Sequence, residues 1–212
     1  MLMPFLALTA LCAVPVAHAG VTPAGSAIAR TDSLASLYAS GRTWGDFFAA
    51  AKARRVLWVD NYARGVPEAL VARARAVGGT WRFLVVAVDS CSDSANTIPY
   101  LARLVEMVPG LELRIVPPDA GRWVMEAYRT EDARAATPTV LLLDEVFQER
   151  GCFVERPAAL RKMLAEAGSN DEDRYQRKMD WYQTDAGAAT VSDLVELLEG
   201  AAAGTPVCGA RR

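Results

Sequence analysis

Between Phe83 and Pro99 the chain changes character in a way that few folds accommodate. Phe83 to Val88 is an unbroken apolar run rich in valine, which is how a strand buried on both faces of a sheet reads. Asp89, Ser90, Cys91, Ser92, Asp93 and Ser94 follow at once, and Ile98, Leu101, Leu104 and Val105 then recur at helical spacing. A strand therefore runs directly into a helix, with Cys91 at the junction. Ser90 and Asp93 fit a capping box, which predicts Ser90 as the cap and Cys91 as the first helical residue. A thiol there faces unpaired backbone N–H groups and the positive end of the helix dipole, and both favour the reactive thiolate. The plainer reading is an ordinary cap followed by a small buried hydrophobe. Pro99, eight residues after Cys91, weighs against it, because a proline inside a helix kinks it and is otherwise costly.

These residues resemble the thioredoxin-fold family, in which a strand leads to Cys-x-x-Cys at a helix start, then to a kinking proline eight residues past the first cysteine. Later in that family a cis-proline opens the next strand, and Thr137-Pro138-Thr139-Val140-Leu141-Leu142-Leu143-Asp144 stands where that segment belongs. Cys91-Ser92-Asp93-Ser94-Ala95-Asn96 is similar to a branch carrying Cys-x-Asp-Ser or Cys-x-Asp-Cys, and Arg156-Pro157 matches the Arg-Pro that opens that branch's last core helix. The resemblance runs from about Trp81 to Gly168. It implies an α/β thioredoxin-like fold: a central mixed four-stranded sheet, with room for a fifth strand, flanked by helices and extended by further helices at both termini. It also implies thiol–disulfide exchange at Cys91 and a cis bond before Pro138. The backbone of Thr137 would then lie open beside the sulfur, where an extended peptide can pair as an added strand.

The departures bear on chemistry more than on fold. Ser94 stands where a dithiol enzyme has its resolving cysteine, Ser90 where a Trp commonly precedes the first cysteine, and Val85 where related enzymes keep a buried Asp. Cys91 alone can attack a disulfide and form a mixed disulfide, but Ser94 cannot clear it, so release needs a thiol from the substrate or a small molecule. Asp93 pulls against activation, since a carboxylate within a turn of the sulfur disfavours a second negative charge; whether this or the dipole wins depends on whether Asp93 turns back onto the cap. The alternative is a redox-inactive binding module that keeps the fold and the groove by Pro138.

Composition narrows the field. With 52 % hydrophobic and 23 % charged residues over 212 positions, the chain can bury one ordinary core. A net charge of −2, with no aromatic-interleaved basic patch, argues against nucleic acid as a partner. The expected partners are protein or small-molecule thiols and disulfides. Residues 1–19 read as a signal peptide: Leu2 to Val16 is apolar and Ala17-His18-Ala19 offers a small-x-small cleavage site. A periplasmic or secreted protein with no stable membrane insertion after cleavage is the expectation. Cleavage would remove Cys12 and His18, the sole histidine, and with it any histidine-dependent nucleophilic mechanism. No spacing suggests a metal, and no cofactor is expected. Cys91, Cys152 and Cys208 remain; an odd number in an oxidising compartment leaves at least one free or paired between molecules. Cys152 reads as inert packing or as half of a bridge to Cys208, and Cys208 could instead resolve Cys91 from a distance.

The organisation predicted is a leader over 20–30, one thioredoxin-like domain over 31–200 with helical additions at 31–79 and 171–200, and a tail over 201–212. Thr43 with Asp46 and Thr190 with Asp193 are further capping boxes. Val56 to Val59 is either a strand or continued helix, and Asn61 to Gly65 reads as a turn. Asp144-Glu145 predicts a hairpin turn, Phe147 to Val154 its second arm, and Glu172 to Tyr182 a mixed-charge helix.

Overall fold

The computed structural model describes residues 24–166, 171–205 and Cys208. The signal-peptide segment lies outside them, as do Cys12 and His18. In chain order the elements are α1 (Ala24–Ser40), α2 (Trp44–Ala50), α3 (Arg55–Arg64), α4 (Glu68–Val77), β1 (Trp81–Val86), α5 (Ser92–Ala95) and α6 (Ile98–Met107). They continue with β2 (Leu111–Val116), α7 (Arg122–Ala127), β3 (Thr139–Leu143), β4 (Glu149–Val154), α8 (Ala158–Glu166), α9 (Asp171–Asp185) and α10 (Ala188–Ala202). The sheet order is β2-β1-β3-β4. β1 pairs parallel with β2 and antiparallel with β3, and β3 pairs antiparallel with β4.

The apolar run in β1 is explained by what covers it. Phe83 and Val85 pack with Val140, Leu142 and Phe153 against α4, α6 and α10, whereas Leu84 and Val86 pack with Leu141, Leu143 and Val154 against α1 and α7. Both faces of the strand are dry, so alternation has no place in it. Each such side chain, fully removed from water, contributes about 1.5–3 kcal/mol. Among the described residues no helix is long and apolar enough to cross a membrane.

Several local expectations change. α1 begins at Ala24, so the segment read as a leader is helical over its second half. Residues 55–64 form one helix; Trp58 is fully buried while Val56 and Val59 face out. The Thr43 cap forms, with Asp46 N–H donating to Thr43 Oγ1 at 3.1 Å, while the Asp46 carboxylate accepts from the Thr43 hydroxyl at 2.7 Å. The Thr190 box does not: α10 starts at Ala188, and Asp193 accepts the N–H of Ala158 at 2.7 Å, capping α8 instead. In place of a fifth strand, the described residues show two isolated bridges: an antiparallel one between Arg42 and Ile115 at the β2 edge, and a parallel one between Cys152 and Cys208 at the β4 edge.

Pro99 does not kink a continuous helix. α5 closes with Thr97 N–H donating to Ser94 O, and Pro99 sits in the first turn of a separate helix, α6. A proline has no N–H for the carbonyl four residues back, which here is Ala95 O. Asn61 Nδ2 on α3 donates to that carbonyl at 2.8 Å and to Asn96 Oδ1 at 2.9 Å, while Tyr100 Oη donates to Asn61 Oδ1 at 3.0 Å. Asn61 is buried and its amide is satisfied on both ends, which explains why apparent turn residues are helical.

Replacing Asn61 with leucine removes all three bonds at similar volume and strands buried polar atoms on Ala95, Asn96 and Tyr100. Asn61→Leu is expected to cost about 3 kcal/mol in urea denaturation, with amide-exchange protection falling first around residues 95–100.

Candidate functional site

Cys91 is itself the N-cap of α5, with φ −76° and ψ 124°. Ser94 N–H donates to its sulfur at 3.4 Å, and the thiol donates to Thr137 O at 3.1 Å. The side chain is half-buried, and Cys91 is the free cysteine among the described residues. The peptide bond between Thr137 and Pro138 is cis. The structure therefore brings Cys91, Ser94, Thr137 and Pro138 into one place.

Ser90 is not the cap. Its carbonyl accepts from Arg54 Nε at 2.6 Å, and the preceding Asp89 carboxylate accepts the N–H groups of Ala53 and Lys52 at 2.9 and 2.8 Å. Those two bonds hold the Asp89 carboxyl below its ordinary pKa. Trp58 Nε1 adds a bond to Asp89 O at 3.1 Å. The loop entering the site is thus clamped from the α2–α3 segment. Because α5 is only four residues long and breaks before Pro99, the electrostatics at Cys91 rest on the single N–H of Ser94 rather than on a long aligned helix.

Asp93 neither stands bare beside the sulfur nor turns back onto the cap. It is buried, with Lys178 Nζ at 2.9 Å, Arg156 Nε at 3.1 Å, and Tyr182 Oη donating at 2.9 Å. Two cations match its charge, so it is not available as an uncompensated neighbour of Cys91. Lys178 also donates to Ser92 Oγ at 3.0 Å. Burial, and next the negative charge of Asp93, pushes the Tyr182 hydroxyl far above its ordinary pKa. Glu155, buried and at φ 63°, turns the chain out of β4; its N–H donates to Pro138 O at 2.8 Å and its carboxylate pairs with Arg156 and Arg134.

Ser94 has no exposure, and its Oγ has no hydrogen-bond partner. Val85 is fully buried as well. Cys152 and Cys208 form a disulfide with Cα atoms 4.7 Å apart. Cys152 is therefore not inert packing, and Cys208 is not a remote resolving thiol for Cys91. Sequence reasoning assigned no role to Asn61, Arg156, Lys178 or Tyr182. Arg156 was signalled by its Arg-Pro pair; Lys178 sits on a helix whose charge reads as solvated.

A family model described as Thioredoxin matches residues 41–172. Among solved structures, the chain is similar to a protein of unknown function from Pseudomonas aeruginosa: 24 % identity, TM-score 0.62, covering 79 % of this chain and 97 % of that one. It is also similar to an HIV epitope scaffold, with 23 % identity, TM-score 0.61, and 78 % and 97 % of the two chains covered. No curated protein matches. At these identities the structural likeness establishes fold and not chemistry.

Asp93→Asn removes the charge that Lys178 shares while Arg156 keeps Glu155, so the expected loss is about 3 kcal/mol, read from urea unfolding at neutral pH. Tyr182 supplies a pH test. A folded-state pKa raised above the unfolded 10.0 contributes stability that is complete below pH 10 and is lost as pH climbs through the folded value. The decline in stability that starts near pH 10 should therefore be shallower in Tyr182→Phe than in the parent, whatever the variant loses at pH 7.

Proposed function

This chain belongs to the thioredoxin family, and from that premise we propose that it is an exported single-thiol exchange protein acting through Cys91. The observation that carries the reading is the placement of a free, half-buried thiol between the N–H of Ser94 and the carbonyl of Thr137. As thiolate, Cys91 attacks one sulfur of a substrate disulfide. The Sγ–S bond forms, the substrate S–S bond breaks, and the second substrate sulfur leaves as a thiolate that takes a proton from water. One disulfide replaces another, with no net oxidation.

Ser94 in the resolving position, and the pairing of Cys152 with Cys208, leave no second thiol among the described residues to clear the intermediate. An incoming thiol must do so. That suits isomerisation or removal of mixed disulfides better than net oxidation. The backbone at Thr137 and Pro138 is the proposed docking edge for an extended peptide. Export is supported by the apolar leader at residues 1–19 and by a structural disulfide, which persists in oxidising compartments.

One observation favours the alternative, a redox-inactive binding module: the Cys91 thiol donates its proton to Thr137 O, a bond available only to the protonated form. The two readings separate on reaction with a small disulfide. Exchange predicts one mixed disulfide per native chain by mass, absent in Cys91→Ser and retained in Ser94→Ala. A Cys91 that stays unmodified until denaturant is added would establish the binding module instead. Ser94→Cys should create a second disulfide with Cys91 and a gain of insulin reduction. Formation of that disulfide without reductase activity would shift the deficit to Val85 or Ser90.

A further inference from the structure

A cavity of about 220 Å³ opens between α8, α9 and the loop before β3, lined by Arg134, Arg156, Leu164, Arg174, Tyr175 and Lys178. Four of the six are cationic, and no described carboxylate lines it. Three carboxylates lie at its edges. Asp93 pairs with Arg156 and Lys178, Glu155 with Arg134 and Arg156, and Asp132 with Arg134. Against these three charges stand four, and Arg174 is the surplus, with no ion pair among the described residues. Donors are left over too. Lys178 spends two of its three N–H groups, on Ser92 and Asp93, and Arg156 engages carboxylates through Nε and Nη2, keeping Nη1. A small cavity walled by guanidinium and ammonium groups with unspent donors favours an anion of carboxylate size, held by charge-assisted hydrogen bonds.

Position gives the anion its meaning. The cationic wall bonds directly to Ser92 and Asp93, the two residues that follow Cys91 in the chain, which sets the cavity beside the Cys91 turn. Building on the exchange reading above, we propose that this cavity is an anion subsite for the incoming thiol: it takes the carboxylate of a low-molecular-weight, carboxylate-bearing thiol that releases Cys91 from its mixed disulfide. The incoming thiolate attacks the substrate sulfur, a new S–S bond forms between them, and the Sγ–S bond breaks with its electron pair going to Cys91. Substrate and small molecule leave joined, and Cys91 is again a thiolate, reprotonated from water. The cavity supplies what the absence of a resolving cysteine demands, by raising the local concentration of an external one.

The test starts from full-length protein carrying a Cys91 mixed disulfide with 2-mercaptoethanol, made from hydroxyethyl disulfide. Release rates are measured with 3-mercaptopropionate, 2-mercaptoethanol and cysteamine, each corrected for thiolate fraction and thiol basicity. The acidic thiol should be about tenfold faster than the neutral one, the cationic thiol slowest, and the preference should shrink as salt rises. In Arg174→Gln the acidic-to-neutral ratio should fall toward one, and Arg174→Lys should restore it. Equal corrected rates for the three thiols, or a ratio that Arg174→Gln leaves intact, would overturn the subsite while exchange at Cys91 stands. Failure to form the starting mixed disulfide would overturn the exchange reading and the subsite's role with it.

Discussion

The buried carboxylate of Asp93 is the constraint around which the Cys91 region is assembled. Taking an ion of this size out of water costs several kcal/mol even after relaxation, and only close, well-oriented partners offset it. Those partners come from two places far along the chain from Asp93: Arg156 at the exit of β4, and Lys178 and Tyr182 one turn apart on α9. The four-residue helix bearing Cys91 is too short to hold itself in register. It is held because its second residue is locked into this cluster while Ser92 is bonded by the same lysine.

A second constraint works from the other side. Pro99 forbids one hydrogen bond, and the freed carbonyl of Ala95 is buried, so a donor has to be brought to it. Asn61 brings it from α3. The Asp89 carboxylate caps the chain at Lys52 and Ala53, and Arg54 reaches Ser90 O. The N-terminal helices are therefore part of the site's support. The same holds for α9, whose composition alone reads as that of a solvated appendage. Cys91 is gripped from both flanks by segments outside the central strand–helix–strand unit.

Much of the fold could be read from pattern alone. The run from Phe83 to Val88 and the strand after Pro138 declare themselves because burial on both faces leaves only apolar residues. The Thr43 cap and the hairpin at Asp144 declare themselves because the chemistry of caps and turns is local. Where reading failed, a distant partner had overruled a local preference. Asn61 looks like a turn residue until Ala95 and Tyr100 claim its amide. Asp193 looks like part of its own helix's cap until Ala158 takes it. Asp93 looks like a free acid beside a thiol until two cations arrive from residues 156 and 178.

What the sequence determined by itself was the kind of protein this is. One cysteine sits at a strand–helix junction, a serine follows three residues later, and a Thr-Pro pair precedes the next strand. These are statements about residue type at fixed spacing, and folding does not alter them. Only the tertiary structure decided which charges meet. It paired Cys152 with Cys208, left Cys91 free against Thr137, neutralised Asp93, and gathered Arg134, Arg156, Arg174 and Lys178 around one small cavity. The physical reason is range. Periodicity, caps and turns act over a few residues, whereas ion pairs and disulfides join atoms brought within a few ångströms by the packing of the whole chain.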